Sequence, residues 1–351
     1  MRKSKLVLLC GAGFPIMWGS PTSDSLTETI KNYIREGLSN NSTLCNKLIN
    51  NDSFESILAA IESLLYYSID DSNSSYLASF FKCTEEIDTD SLWDIYQKCI
   101  NAIIHEVEKY ENRVLQDETA RKSIVSLWEV LNKKFENISY YTTNYDEILP
   151  YVINSEYSCL EATKSYNIEQ FSNLHGSIHL CKKWNGQRYE VKHTDITSIF
   201  NYALANDGGN PNELMIFSPI ITGRNKTQRL MDQHFFRSIV SFAHDLSECA
   251  VLIIIGYSFS DPHINMLIKE YTSFDKTKVL VVDKLSNVSE SSLFNKLIQL
   301  IPIQSKYTPD NSSDDWFSYN NSTVKVYKRG CENLFDHATF IKICKSICNT
   351  L

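Results

Sequence analysis

Leu6-Val7-Leu8-Leu9-Cys10-Gly11-Ala12-Gly13-Phe14-Pro15 is an apolar run that stops abruptly at two glycines. Such a run reads as the first strand of an α/β sheet entering a backbone-only loop. Glycines at that point let a phosphate-bearing ligand approach main-chain N–H groups. A buried strand ending in a plain structural turn has the same local pattern, so the stretch acquires its meaning only from the rest of the chain.

A long helical segment comes next. Ser23-Asp24-Ser25 offers helix caps ahead of Leu26, Ile30 and Ile34 at helical spacing. Phe54, Ile57, Leu58, Ile61, Leu64 and Leu65 mark a second apolar face. Leu92, Trp93, Ile95, Tyr96, Ile100, Ile103, Ile104 and Val107 mark a third, and Ile124, Leu127, Trp128 and Leu131 a fourth. Asp70 to Ser75 reads as a loop between them.

Strand signals resume at Ile138–Thr142, Phe171–Ser177 and Leu214–Phe217. The strongest is Ala250-Val251-Leu252-Ile253-Ile254-Ile255, continuous and β-branched as a strand covered on both faces should be. Helices are expected over 228–247 and from His263 to Thr272, and Lys278–Asp283 is a further buried strand. In the tail, Thr308 to Asn321 reads as a loop, Thr323–Tyr327 as an edge strand and Phe335–Ile347 as a closing helix. Strands alternating with helices predict an α/β fold, a doubly wound, mostly parallel Rossmann-like sheet with a large helical insertion after the first strand. The expected division is 1–285 as one domain, its sheet core from 1–20 and 136–285 and its insertion over about 21–135. Residues 286–351 would be a strand/helix extension packed on that core.

Bulk properties narrow the function. The chain has 351 residues, 43% hydrophobic content and a formal charge of −8, with no long basic run. No direct nucleic-acid binding is expected. The ten cysteines form no Cys-x-x-Cys pair and are scattered through apolar stretches, the usage of reduced cysteines in the cytoplasm. Cys344 and Cys348 lack histidine neighbours, so no metal site is expected. The apolar run behind Arg2, Lys3 and Lys5 is too short for a signal peptide, and none approaches the ~18–20 residues of a membrane span.

Four apolar strands end in small or polar residues: Gly11/Gly13, Asn144/Asp146, Gly256/Ser258 and Asp283. In an open α/β sheet the ligand sits outside the carboxyl ends of the strands, so these termini would converge on one crevice. Taken residue by residue, blander readings compete. Asn144 fits a turn, His175 a satisfied loop histidine and His179 a surface position. Asp261-Pro262-His263 fits a helix cap, and Arg224 and Lys226 a solvated loop.

Gly11-Ala12-Gly13, Thr142-Thr143-Asn144-Tyr145-Asp146, Leu174-His175-Gly176 and Gly256-Tyr257-Ser258-Phe259-Ser260-Asp261 occur in this order. As a set they resemble the sirtuin superfamily, most closely its bacterial sirtuin-like defence branch. The resemblance covers about 1–20 and 136–285. It implies NAD as the ligand. Asn144 would position ribose hydroxyls or an attacking water, His175 would be the general base, and Asp146 would bind ribose or nicotinamide or hold the loop. Gly11, Ala12 and Gly13 would cradle the pyrophosphate, Gly256 and Ser258 would meet the adenosine side, and Asp283 would accept from its ribose. Phe14, Thr143 and Asp261 complete the expected contacts. On this reading Gly13→Val would abolish binding and leave the fold largely intact.

The sequence also departs from sirtuin deacylases. It lacks their two Cys-x-x-Cys pairs, and its glycine loop continues Phe14-Pro15-Ile16-Met17 rather than with the acidic-aromatic-arginine sequence common there. The resemblance therefore implies NAD hydrolysis to nicotinamide and ADP-ribose in abortive antiphage defence, with a regulatory NAD-binding module or a deacylase as alternatives. It further implies a homo-oligomer or a sensor or ATPase partner.

Overall fold

The computed structural model describes residues 5–40, 42–68, 89–156, 168–184, 189–193, 220–221, 233–284, 296–297, 316–319, 323–331 and 334. They divide into two compact units. The first comprises 1–20, 111–174 and 235–351, the second 21–110 and 175–234.

The first unit is built on a seven-stranded sheet. Its strands are β1 (Lys5–Cys10), β2 (Asn137–Thr142), β3 (Ile168–Asn173), β6 (Val251–Ile255), β7 (Lys278–Val282), β8 (Trp316–Tyr319) and β9 (Val324–Tyr327). The order is β3-β2-β1-β6-β7-β9-β8. All neighbours are parallel except β8, which runs antiparallel to β9. Leu6 to Cys10 pair on one side with Ile138 to Thr142 and on the other with Val251 to Ile255. These central strands are apolar throughout because helices cover both faces. Leu6 to Cys10 are wholly buried, and Val251 to Ile255 nearly so.

The helices on this sheet are α5 (Glu118–Lys134), α6 (Ile148–Glu156), α7 (Gln233–Glu248) and α8 (Pro262–Tyr271), with a 3-10 turn, η1, at Pro15–Trp18. Asp117 caps α5 by accepting from the N–H groups of Thr119 and Ala120. Below it Ile124, Leu127, Trp128 and Leu131 form the buried stripe expected from their spacing. Phe242 of α7 lies against Tyr141 of β2, ring centroids 4.7 Å apart, inside a core that also takes in Leu9, Leu252, Ile254, Val281 and Val326. A buried Leu or Ile there contributes ~1.5–3 kcal/mol of transfer free energy.

The second unit holds α1 (Ser23–Gly37), α2 (Ser42–Ile49), α3 (Phe54–Ser68) and most of α4 (Thr89–Gln116). Thr22 and Ser25 form a capping box at the start of α1. The apolar faces read from the sequence are the buried ones: Leu26, Ile30 and Ile34; Phe54, Ile57, Leu58 and Ile61; Leu92, Ile95, Tyr96 and Ile100. This unit also holds an antiparallel pair, β4 (Leu180–Trp184) and β5 (Tyr189–His193).

Two expectations change. The strand at 324–327 is not an edge, because Trp316–Tyr319, inside the expected loop, pairs outside it. Six polar residues, Asp310 to Asp315, precede this short aromatic strand and mask it, but Trp316 packs on its cross-strand partner Tyr327 at 5.0 Å. The β4–β5 hairpin was also unexpected, since Lys182, Lys183, Glu190 and Lys192 dilute its apolar signal. The expected strand 214–217, the loop 70–75, the closing helix 335–347, Arg224, Lys226, Cys344 and Cys348 lie outside the described residues.

Candidate functional site

From β1 the chain crosses to β2 and β3 on one side and to β6, β7 and β9 on the other. The switch point therefore lies between β1 and β6, and the loops leaving their carboxyl ends are Gly11–Phe14 and Gly256–Asp261.

The two loops are fused backbone to backbone. Gly11 N–H donates to Ile255 O at 2.9 Å, Gly13 N–H to Gly256 O at 2.8 Å, and Phe14 N–H to Gly11 O at 3.0 Å. Gly256 is left-handed, φ 61°. A Cβ on Gly13 would stand 2.8 Å from Gly256 Cα, and one on Gly256 would stand 2.3 Å from Phe14 N. The expectation for Gly13→Val is thereby corrected: the added side chain collides with the protein's own backbone, so the fold is disturbed first. The amides of Gly11 and Gly13 are also occupied. In this loop Ala12, which is exposed, keeps an N–H without a partner among the described residues.

The β2 loop is tied to the same point. Thr143 N–H donates to Cys10 O at 3.0 Å. Asn144 Nδ2 donates to Gly11 O at 3.1 Å, and its own N–H donates to Thr142 Oγ1. Because the Gly11 carbonyl can only accept, the amide orientation is fixed and Oδ1 faces away from this bond. Asp146 Oδ1 accepts from Ile148 N–H at 3.3 Å at the start of α6. Burial, then the neighbouring Glu111 carboxylate, push the Asp146 carboxyl up to about 7. A carboxyl so placed exchanges its proton near neutrality.

Beyond β6, Ser258 is exposed and its hydroxyl donates to Ser260 Oγ at 3.0 Å. Tyr257 is buried in the core, its hydroxyl directed to the Asp261 carbonyl and Asn265. Asp261 caps α8, accepting from His263 and Ile264 N–H groups. Asp283, at the end of β7, accepts from Lys284 N–H at 2.7 Å. Burial raises its carboxyl, partly offset by that N–H and by the Lys296 ammonium. Cys10, the last residue of β1, is wholly buried; burial, with Cys331 and Asp146 adding, holds its thiol well above the ordinary range. It is therefore a packing residue rather than a nucleophile.

The first unit thus gathers Gly11, Ala12, Gly13, Phe14, Thr143, Asn144, Asp146, Gly256, Ser258, Asp261 and Asp283 at the carboxyl ends of neighbouring strands. His175 belongs to the second unit, where it is buried and its carbonyl accepts from Ile221 N–H at 2.7 Å. Gly176, φ 83°, bridges to Ile220 beside it.

Several contributing residues carried no motif. Asn173 Nδ2 donates to the carbonyls of Asn144 and Asp146 at 3.2 and 3.0 Å, stapling that loop to the end of β3. An asparagine closing a strand was the available signal. Lys296 donates to Ser258 O at 2.9 Å. Phe259 is buried with φ 55°, a left-handed conformation rare for an aromatic residue, and Asn265 Nδ2 donates to its carbonyl.

This is a mostly parallel α/β protein whose glycine-lined loops meet at the sheet's switch point, the architecture of a nucleotide-binding fold. Residues 138–300 match the family model described as a SIR2-like domain. The match includes Asn144, Asp146, His175, Gly256, Ser258 and Asp283, while Gly11–Gly13 lie upstream of it. Among solved structures, the chain is similar to a SIR2 homologue in complex with NAD, with 11% identity over 97% of this chain and 91% of that one and a TM-score of 0.44. It is similar to a substituted Sir2 homologue with 2′-O-acetyl-ADP-ribose, at 12% identity, 99% and 94% coverage and a TM-score of 0.43. A third is a Sir2 protein bound to a propionylated peptide, at 11% identity, 98% and 94% coverage and a TM-score of 0.40. No curated protein sequence is matched significantly. No helix among the described residues is long and apolar enough to cross a membrane, and none of their His, Cys, Asp and Glu side chains cluster in threes as metal ligands would.

Proposed function

We propose that the chain binds NAD at the β1/β6 switch point and hydrolyses its nicotinamide N-glycosidic bond. The observation that carries this reading is the fusion of the Gly11–Phe14 and Gly256 loops with the Asn144 side chain locked onto Gly11 O. In a SIR2-like domain that joint is where a dinucleotide would lie. The residues present fit such a ligand. Ala12 offers an amide donor to the pyrophosphate, Ser258 a hydroxyl, and Asp283 an acceptor for ribose hydroxyls.

In the reaction the C1′–N bond breaks and its electron pair passes to the pyridinium nitrogen, so nicotinamide leaves neutral. A water oxygen bonds to C1′ and gives up a proton, yielding ADP-ribose. Asn144 Oδ1 would accept from and orient that water or the adjacent ribose hydroxyl. His175 is assigned as the base that takes the proton. Asp146, near half-protonated at neutral pH, would hold the loop or a ribose hydroxyl. Because the leaving ring is already cationic, no strong acid is required on it.

The lack of any Cys-x-x-Cys pair in the chain favours hydrolysis over deacylation. We assign the activity to an NAD-depleting antiphage effector in the cytoplasm, run as a homo-oligomer or beside a sensor or ATPase partner. The test is to incubate the purified chain with NAD and resolve nicotinamide and ADP-ribose, alongside Asn144→Ala and His175→Ala. Release in the wild type and its loss in both variants is expected. Binding without turnover would make the chain a regulatory module, and release only with an acylated peptide would make it a deacylase. Loss of phage protection with Asn144→Ala tests the cellular role.

A further inference from the structure

The C-terminal turn of α4 makes contacts that no sequence motif marks. Glu111, 6% exposed, accepts from Glu147 N–H through Oε1 at 2.7 Å. Arg113, two residues on, donates through Nη2 to Trp18 O at 3.3 Å and to Gly19 O. Residues two apart on a helix point to different faces, so one helix end reaches two separate loops. One is 143–148, which carries Asn144 and Asp146. The other is 14–19, the continuation of the glycine loop.

Each loop is shaped to receive its contact. Gly19 is left-handed, φ 76°, and a Cβ there would stand 2.6 Å from Arg113 Nη2. Phe14 packs edge-on against Trp18 at 5.4 Å, linking the guanidinium's carbonyl partners back to the residue after Gly13. The helix end is itself fixed: Val114 is buried, and Asp117 N–H donates to the carbonyls of Arg113 and Val114.

We propose that Glu111 and Arg113 are positioning residues, a two-headed tie from one helix end that holds loops 143–148 and 14–19 in their nucleotide-binding conformation. A purely local account would have Arg113 merely cap the carbonyls of a 3-10 turn. That account gives no role to Glu111 on the same turn of helix.

The inference rests on the proposed NAD site, and the test keeps the two apart. Amide hydrogen exchange is measured without ligand on the full chain, for the wild type, Arg113→Ala, Arg113→Lys, Glu111→Ala and Glu111→Gln. NAD affinity and pH–rate profiles are then measured on the same set. Arg113→Ala should speed exchange about tenfold over 14–20 alone, and Glu111→Ala over 143–148 alone, as loss of a charge-assisted bond predicts. Each should weaken NAD binding about tenfold. Arg113→Lys keeps a donor and Glu111→Gln an acceptor, so both should recover most of the affinity. Glu111→Gln also removes the charge beside Asp146 and should move the pH profile to lower pH, which a purely structural residue would not do. Unchanged loop exchange in the alanine variants, or faster exchange with wild-type NAD affinity, overturns the tie. If the wild type binds no NAD, the functional reading fails, and the exchange pattern alone still decides whether the tie exists. Should an alanine variant not fold, the lysine and glutamine variants decide through rescue and pH shift.

Discussion

Replacing Gly256 by alanine probes the joint on which the site rests. The backbone there has φ 61°, a conformation costing an L-residue ~1–2 kcal/mol. The new Cβ would stand 2.3 Å from Phe14 N and 2.4 Å from Gly13 C, both main-chain atoms that cannot rotate away. The glycine loop must therefore shift, an overpacking penalty of ~1–3 kcal/mol. That shift breaks Gly13 N–H to Gly256 O, and leaving such a pair unmade costs ~1–3 kcal/mol. The sum is roughly 3–8 kcal/mol, set against a total stability of ~5–15 kcal/mol for an ordinary domain. Urea denaturation monitored by far-UV circular dichroism should show a greatly lowered midpoint. Ala12→Ser, at the exposed crest of the same loop, should leave the midpoint within ~0.5 kcal/mol of wild type. A cost below about 1 kcal/mol for Gly256→Ala would refute the fused-loop geometry.

Asn144→Ala removes both the Gly11 tie and the free Oδ1, so turnover should fall at least ~100-fold while stability drops only ~1 kcal/mol, read by product assay and thermal melt. The Asp146 carboxyl is raised in the folded protein, so its contribution to stability is full below pH ~4 and is lost as pH climbs through about 7. Denaturation midpoints across that window should fall with pH, and Asp146→Asn should flatten the slope. Asp245 has the opposite sign. Burial alone would raise its carboxyl, but the Lys5 ammonium at 2.8 Å, Ser139 and the Tyr141 hydroxyl at 2.6 Å outweigh it and hold it low. Its contribution is present above pH ~4 and lost as acid protonates it, so Asp245→Asn should remove part of the acid-unfolding transition. Burial pushes the Cys99 and Cys249 thiols up to about 12. A thiol reagent at pH 8 should therefore label neither until urea unfolds the chain, as mass spectrometry of the digest will show.

The parts of this molecule legible in its sequence are those governed by neighbours in the chain. A strand buried on both faces must be apolar at every position, so Leu6–Cys10, Val251–Ile255 and Lys278–Val282 announced themselves. Helix stripes such as Ile124, Leu127, Trp128 and Leu131 did so through their period. The glycines were legible as special backbone, but their partner was not. Gly13 lies against Gly256, 243 positions away, and no local pattern distinguishes a glycine that makes room for a ligand from one that makes room for another loop. Two expected N–H donors are consequently spent on the protein, and the loop's remaining amide belongs to the alanine between the glycines. The same limit hides the residues that hold the loops. Glu111 and Arg113 sit in an ordinary polar turn of an amphipathic helix, and only the fold brings one to Glu147 and the other to Gly19. Asn144 shows both sides of this divide. Its place after β2 suggested a ligand contact, yet its Nδ2 is committed to Gly11 O, which leaves Oδ1 as the half of the amide outside that bond. A single side chain thus locks the glycine loop and, on the proposed reading, would offer an acceptor to the attacking water. Asn144→Asp would keep an acceptor at this position and remove the donor. If such a variant retained turnover but loosened the glycine loop in hydrogen exchange, Oδ1 alone would be the catalytic half of the residue and Nδ2 the structural one.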